Sequence, residues 1–165
     1  MTTFSGKFTR RGATALLALF PALALARNDA VAATGPKIAV SKDPSCGCCG
    51  GWVDHLKAEA FEVDVTETAD LEPVKARLGV PSALAACHTA EIEGYVVEGH
   101  VPAAAIRRLL AERPQARGLA VPGMPVGAPG MEVSGAAPER YDVMLFGAFG
   151  QRVFARFEGT REVPL

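Results

Sequence analysis

The sequence predicts an α/β fold on three observations. Short strand-like runs alternate with segments of helical periodicity, a tight hairpin signal sits near the middle, and a second hairpin lies towards the end. Residues 37–41 form an apolar strand-like run that leads into the turn residues Lys42, Asp43, Pro44 and Ser45. Over residues 48–60, Trp52, Val53, Leu56 and Ala60 recur at helical spacing, with Asp54, Lys57 and Glu59 on the other side. Residues 61–65 alternate apolar and acidic side chains, as a second strand would. Residues 71–78 read as a second helix, ended by Gly79 and Pro81, and residues 82–86 as a helical turn or loop.

Residues 88–92 and 95–101 are β-rich, and Glu93-Gly94 between them reads as a hairpin tip. Pro102 suits the first turn of a third helix over residues 103–112, with Ile106, Leu109 and Leu110 inward, and Pro114 stops it. A loop rich in proline and glycine covers residues 119–130. Residues 141–146 and 152–157 make the final hairpin. The order β-α-β-α-β-β-α, with a loop and hairpin appended, is that of a thioredoxin-like domain, an order that says little about function by itself.

The leading residues read as an address, not as part of this fold. Lys7, Arg10 and Arg11 precede an apolar run over residues 13–26, and Ala30-Val31-Ala32 resembles a cleavage site. That is the build of a secretory signal, with cleavage near Ala32 and export to the periplasm. The run is short of the roughly 20 residues a spanning helix needs, so no membrane span is expected after cleavage. The expected organisation is a signal peptide over 1–32 and one domain over 33–165.

Residues 1–33 hold Lys7, Arg10, Arg11, Arg27 and Asp29; without them the chain carries 13 basic and 17 acidic groups, a net charge of −4. That balance argues against a nucleic-acid partner, which needs a basic footprint, and favours a cationic ligand.

All four cysteines lie in the expected mature chain, and three fall within four residues as Cys46-Gly47-Cys48-Cys49. A disulfide scaffold spreads its cysteines, whereas a metal site or redox centre concentrates them. The cluster sits where the first strand hands over to the first helix, whose N-terminus carries partial positive charge and favours thiolates. Cys46 and Cys49 have the C-x-x-C spacing of a thiol oxidoreductase. With Glu93-Gly94 as the tip, Cys87 or His88 lies opposite His100 across the hairpin. In a thioredoxin-like order that end of the sheet meets the start of the first helix, so four thiols and two imidazoles converge.

The same pattern bears on the bland alternatives. Cys87 could be a small buried hydrophobe, but its neighbour His88 favours a ligand role. His55 lies seven residues past Cys48, about 10 Å along the helix axis, too far to share its metal. Met124 and Met131 carry soft thioethers suited to Cu(I), yet methionine more often fills gaps in packing. Trp52 is most simply a core residue.

Cys46-Gly47-Cys48-Cys49 with Gly51-Trp52, Gly79-Val80-Pro81, Cys87-His88-Thr89-Ala90, Gly94-Tyr95, Glu98-Gly99-His100-Val101-Pro102, Val121-Pro122-Gly123-Met124-Pro125 and Gly130-Met131-Glu132 together resemble the CopG-like family. Its members are small exported proteins of copper and metal resistance clusters, and the likeness spans roughly residues 37–132. The resemblance implies a thioredoxin-like domain and copper binding in the periplasm, with a redox role for copper left open. The metal residues it implies are Cys46, Cys48, Cys49 and Cys87, with His88 and His100 as companions.

Cys87-His88 stands where a thioredoxin keeps a cis-proline before its third strand, which speaks against general protein-disulfide chemistry. The function expected is a periplasmic copper-binding protein, Cu(I) favoured and zinc an alternative, with a copper efflux or chaperone protein as candidate partner. The rival from another class is a thiol–disulfide oxidoreductase using Cys46 and Cys49. A metal-independent interaction module is the third reading. Whether the protein is an enzyme, as a copper oxidoreductase would be, stays open.

Overall fold

The computed structural model describes residues 1–3 and 35–165. The expected signal peptide over 1–32 therefore lies almost wholly outside the described residues. The described chain from residue 35 onward forms one compact unit.

Among the described residues, eight strands and three α-helices make a mixed α/β fold. They run β1 (Lys37–Lys42), α1 (Gly47–Ala58), β2 (Glu62–Glu67), α2 (Glu72–Leu78), a 3₁₀ turn (Ser82–Leu84), β3 (His88–Ile92), β4 (Tyr95–Glu98), α3 (Ala103–Glu112), β5 (Gly118–Ala120), β6 (Arg140–Gly147), β7 (Gly150–Glu158) and β8 (Arg161–Val163). They form a single sheet in the order β2-β1-β3-β4-β5-β6-β7-β8. β1 and β2 are parallel, while β1 with β3 and β3 with β4 are antiparallel. Nothing in this order conflicts with the thioredoxin-like expectation.

Alternation along the strands divides the core between the two faces of the sheet. Ile38, Val40, Ala90, Ile92 and Val97 pack with Trp52, Val53 and Leu56 of α1 and with Ile106 and Leu109 of α3. Val96, Ala120 and Phe146 pack on the other side with Leu78 of α2 and Leu84. The first face is much the larger, and α1 lies flat on it with Trp52 wholly buried.

The sequence placed residues 119–130 in a loop, but Gly118–Ala120 is a strand between β4 and β6. β8, too, has no counterpart in the sequence reading. Three-residue strands carry no periodic signal, and here pairing with neighbours already in place decides them. β5 is what joins the final hairpin to the sheet. Among the described residues, no helix is long and apolar enough to cross a membrane.

Candidate metal centre

Local structure brings the cysteine cluster to the positive end of a helix. Cys46 is the N-cap of α1 with extended backbone (φ −81°, ψ 98°), and Cys48 and Cys49 occupy its first turn. Gly50 donates its N–H to the Cys46 carbonyl at 3.4 Å, which starts the helix. Cys46 and Cys48 are half-buried at the rim and Cys49 is fully buried beneath them. Cys46 and Cys49 form a disulfide with Cα atoms 5.4 Å apart, leaving Cys48 and Cys87 free. The Cys48 sulfur lies 3.3 Å from that of Cys46.

The β3–β4 hairpin supplies the other half of the site. Ile92 pairs with Tyr95 and Thr89 with Glu98, so the register places Cys87 across from His100. Between the two choices the sequence left open, the structure selects that one: the Cys87 sulfur is 3.3 Å from His100 Nε2. It is also 3.4 Å from His88 Nδ1. Gly99 allows the turn into His100, since its φ of +71° suits glycine. A Cβ there would come within 2.8 Å of the Ala86 side chain.

Two overlapping groups of donors result. The ligand atoms of Cys46, Cys48, Cys49 and Cys87 lie within 4.8 Å of one another, and so do those of Cys87, His88 and His100. Cys87 belongs to both. The four cysteine sulfurs and two imidazoles singled out in the sequence thus converge on one end of the sheet, two of the sulfurs as the Cys46–Cys49 disulfide.

Both imidazoles are held as neutral donors. Burial, with His100 beside it, pushes His88 down to about 3. Burial lowers His100 too, against the pull of the Pro129 carbonyl and Glu132. His100 Nδ1 lies 2.8 Å from the Pro129 carbonyl oxygen; a carbonyl only accepts, so Nδ1 carries the proton and Nε2 offers its lone pair towards Cys87. Second partners of this kind fix a metal-binding histidine's tautomer and orientation.

His88 is gripped by packing instead. Its ring lies 4.3 Å from that of Trp52 and 4.9 Å, edge-on, from that of His100. Its Nε2 is buried and, alone among the buried side-chain nitrogens and oxygens of the described residues, has no hydrogen-bond partner. The ring nitrogen beside the Cys87 sulfur is the other one, Nδ1, and it is the one placed to join that sulfur on a metal. Burial, followed by the adjoining Cys48, pushes the Cys87 thiol up to about 12. At neutral pH it is protonated, so an ion that binds it must displace a proton.

Gly130 locks the loop that carries Pro129. Its φ is +83°, and a Cβ there would lie 2.5 Å from both the Cys48 carbonyl oxygen and the Trp52 nitrogen. Only glycine lets this loop rest on the first turns of α1. Pro129 is therefore a position that orients His100 and that residue type does not reveal, because what it contributes is a backbone carbonyl.

The remaining sequence candidates sit elsewhere. His55 Nε2 accepts the Ala103 N–H at 3.1 Å and so serves the start of α3. Met131 packs against the core and Met124 is exposed. Trp52 is core, as expected, and its Nε1–H donates to the Val101 carbonyl at 2.9 Å. Cys87 immediately precedes β3, and among the described residues no peptide bond is cis.

A family model described as a protein of unknown function, DUF411, matches residues 84–131. No curated protein matches the chain. Two solved structures do. One, titled copper resistance protein CopG, form 1, is 46% identical over 76% of this chain and 99% of its own, with a TM-score of 0.70. The other, titled form 2 of the same protein, is 44% identical over 79% of this chain and 99% of its own, with a TM-score of 0.69. Identity at that level over nearly the whole of both relatives shows that the chain belongs to the CopG-like family.

Proposed function

We propose that the chain is a periplasmic protein of copper resistance, holding Cu(I) as cargo on Cys46, Cys48, Cys49 and Cys87, with His88 and His100 as companions. The observation that carries this reading is the pair of donor groups sharing Cys87. Soft thiolates select Cu(I), and imidazole nitrogen tolerates Cu(II). A Cys₃His set would also suit zinc, but both similar structures are of a copper resistance protein, which favours copper. The leader over 1–32 supports export, with 33–165 as the thioredoxin-like working domain.

A redox role for copper fits the same atoms. Once an external dithiol reductant has opened the Cys46–Cys49 disulfide of this structure, closing it again releases two electrons and two protons, enough to reduce two Cu(II) to two Cu(I). Cys48, Cys87 and the imidazoles remain to hold the product. The half-buried rim of Cys46 and Cys48 would let an efflux or chaperone protein take the ion.

Metal content tests the reading. Chain purified from periplasm under reducing conditions is expected to carry at least one copper per molecule, and the Cys48→Ser variant much less. Stoichiometric zinc with no copper, even after copper loading, would sink the proposal.

The Cys46–Cys49 disulfide at the start of α1 favours a second reading, the thiol–disulfide oxidoreductase. Metal-free chain with dithiothreitol is expected to reduce insulin near the background rate. Cys48 stands ready to intercept a mixed disulfide, and Cys87-His88 occupies the place where a thioredoxin keeps its proline. Robust turnover that survives copper chelation would make this rival the better account.

A further inference from the structure

A charged network lies buried behind the donor groups. Glu98 is fully buried and Lys75 is 6% exposed. The Glu98 carboxylate accepts from Lys75 Nζ at 2.5 Å, from the Ala86 N–H at 2.6 Å and from the Thr89 hydroxyl at 2.7 Å. Lys75 Nζ also donates to Thr89 Oγ1 at 2.8 Å. Buried ion pairs repay their desolvation poorly, and a packed apolar cluster is often as stable. Stability alone therefore gives no reason for this network.

Its attachments do. Ala86 precedes Cys87, Thr89 follows His88, and Glu98 stands two residues before His100. Backbone bonding in the bend before β3 stops at Ala85, whose N–H reaches Ser82, and resumes where Gly99 donates to the His88 carbonyl. Across that gap the Ala86 N–H is tied by the Glu98 side chain. The network is on the α2 side of the sheet, with Val96, whereas His88 faces Trp52 on the α1 side. It has no hydrogen bond to any of the six donors; it is tied to them through the backbone, and beyond that only the Lys75 charge is felt, lowering both Cys87 and His88.

We propose that Lys75, Glu98 and Thr89 form a positioning device for Cys87, fixing the Ala86–Cys87 bend so that one sulfur faces both the thiols and the imidazoles. The proposal deepens the copper reading, since Cys87 is the shared donor, but the geometry it describes stands without an ion.

The test uses metal-free chain with the Cys46–Cys49 disulfide intact. Its two free thiols, Cys48 and Cys87, are labelled with iodoacetamide and followed by peptide mass spectrometry. Losing a hydrogen bond to a charged group shifts a local opening equilibrium by about tenfold or more. Glu98→Ala is therefore expected to raise the Cys87 rate relative to Cys48 by about that factor. Glu98→Gln keeps an acceptor for Ala86 and should restore the ratio of the parent, as a general loss of packing would not. An unchanged ratio in Glu98→Ala overturns the proposal.

If that variant is too unstable to purify, hydrogen exchange of the parent decides. The Ala86 amide is expected to be protected; exchange as fast as in an exposed loop overturns the proposal. A Cu(I) titration of the parent, with the Cys46–Cys49 disulfide reduced, runs alongside. A shifted labelling ratio in a chain that binds no copper removes the copper reading and leaves the positioning device standing. An unshifted ratio in a chain that does bind copper does the reverse.

Discussion

Cys87→Ser is expected to lower Cu(I) affinity by more than about 100-fold, because removing even a metal ligand's supporting partner costs about 10- to 100-fold. The Cys87 sulfur is the donor common to the two groups of ligand atoms. A serine hydroxyl is a harder, weaker donor for Cu(I) than a thiolate. The substitution exchanges sulfur for oxygen on a half-buried side chain, so the fold should survive it. Competition against a chromophoric Cu(I) chelator under reducing conditions measures the effect. A variant within about threefold of the parent, well below the cost of losing a supporting partner, would mean that Cys46, Cys48 and Cys49 hold the ion without Cys87.

The second large effect separates the oxidation states. Replacing His88 and His100 together with alanine is expected to weaken Cu(II) binding about 100-fold or more and Cu(I) binding by less than about tenfold. Both rings are fully buried, so truncating them also opens a cavity, and stability should fall by roughly 3 kcal/mol or more. Binding is therefore compared at a temperature where both proteins are folded. Cys49→Ser, in contrast, should damage both states. If the double variant bound both oxidation states as the parent does, the histidines would be structural. Simple sequestration would then be the better account of the site.

Much of this site could be read from the chain because turn chemistry fixes register. Glu93-Gly94 marks the hairpin tip, and counting outward from it brings Cys87 or His88 across from His100; the structure selects Cys87, with a sulfur–nitrogen distance of 3.3 Å. The cysteine cluster was legible for a similar reason: a strand end followed by a helical period marks a helix N-terminus. β5 and β8 escaped because three residues cannot show a period.

The Lys75–Glu98 pair escaped for a different reason, since charged side chains are ordinarily placed at the surface. A signal was present. Lys75 shares a helix face with Leu71 and Leu78, and Glu98 ends the apolar run Tyr95-Val96-Val97. Two opposite charges standing in apolar positions on neighbouring elements suggest a buried pair. The acceptor for His100 left no such trace, because any residue at position 129 would present a carbonyl.

The central claim is that sulfur of this chain, joined by imidazole, holds copper. X-ray absorption at the copper edge, on chain loaded with Cu(I) under reducing conditions, tests it most directly. The account predicts a Cu(I) edge and a first shell dominated by sulfur, with a nitrogen contribution that disappears in the double histidine variant. A first shell of nitrogen and oxygen with no sulfur, unchanged by Cys48→Ser or Cys87→Ser, would contradict it.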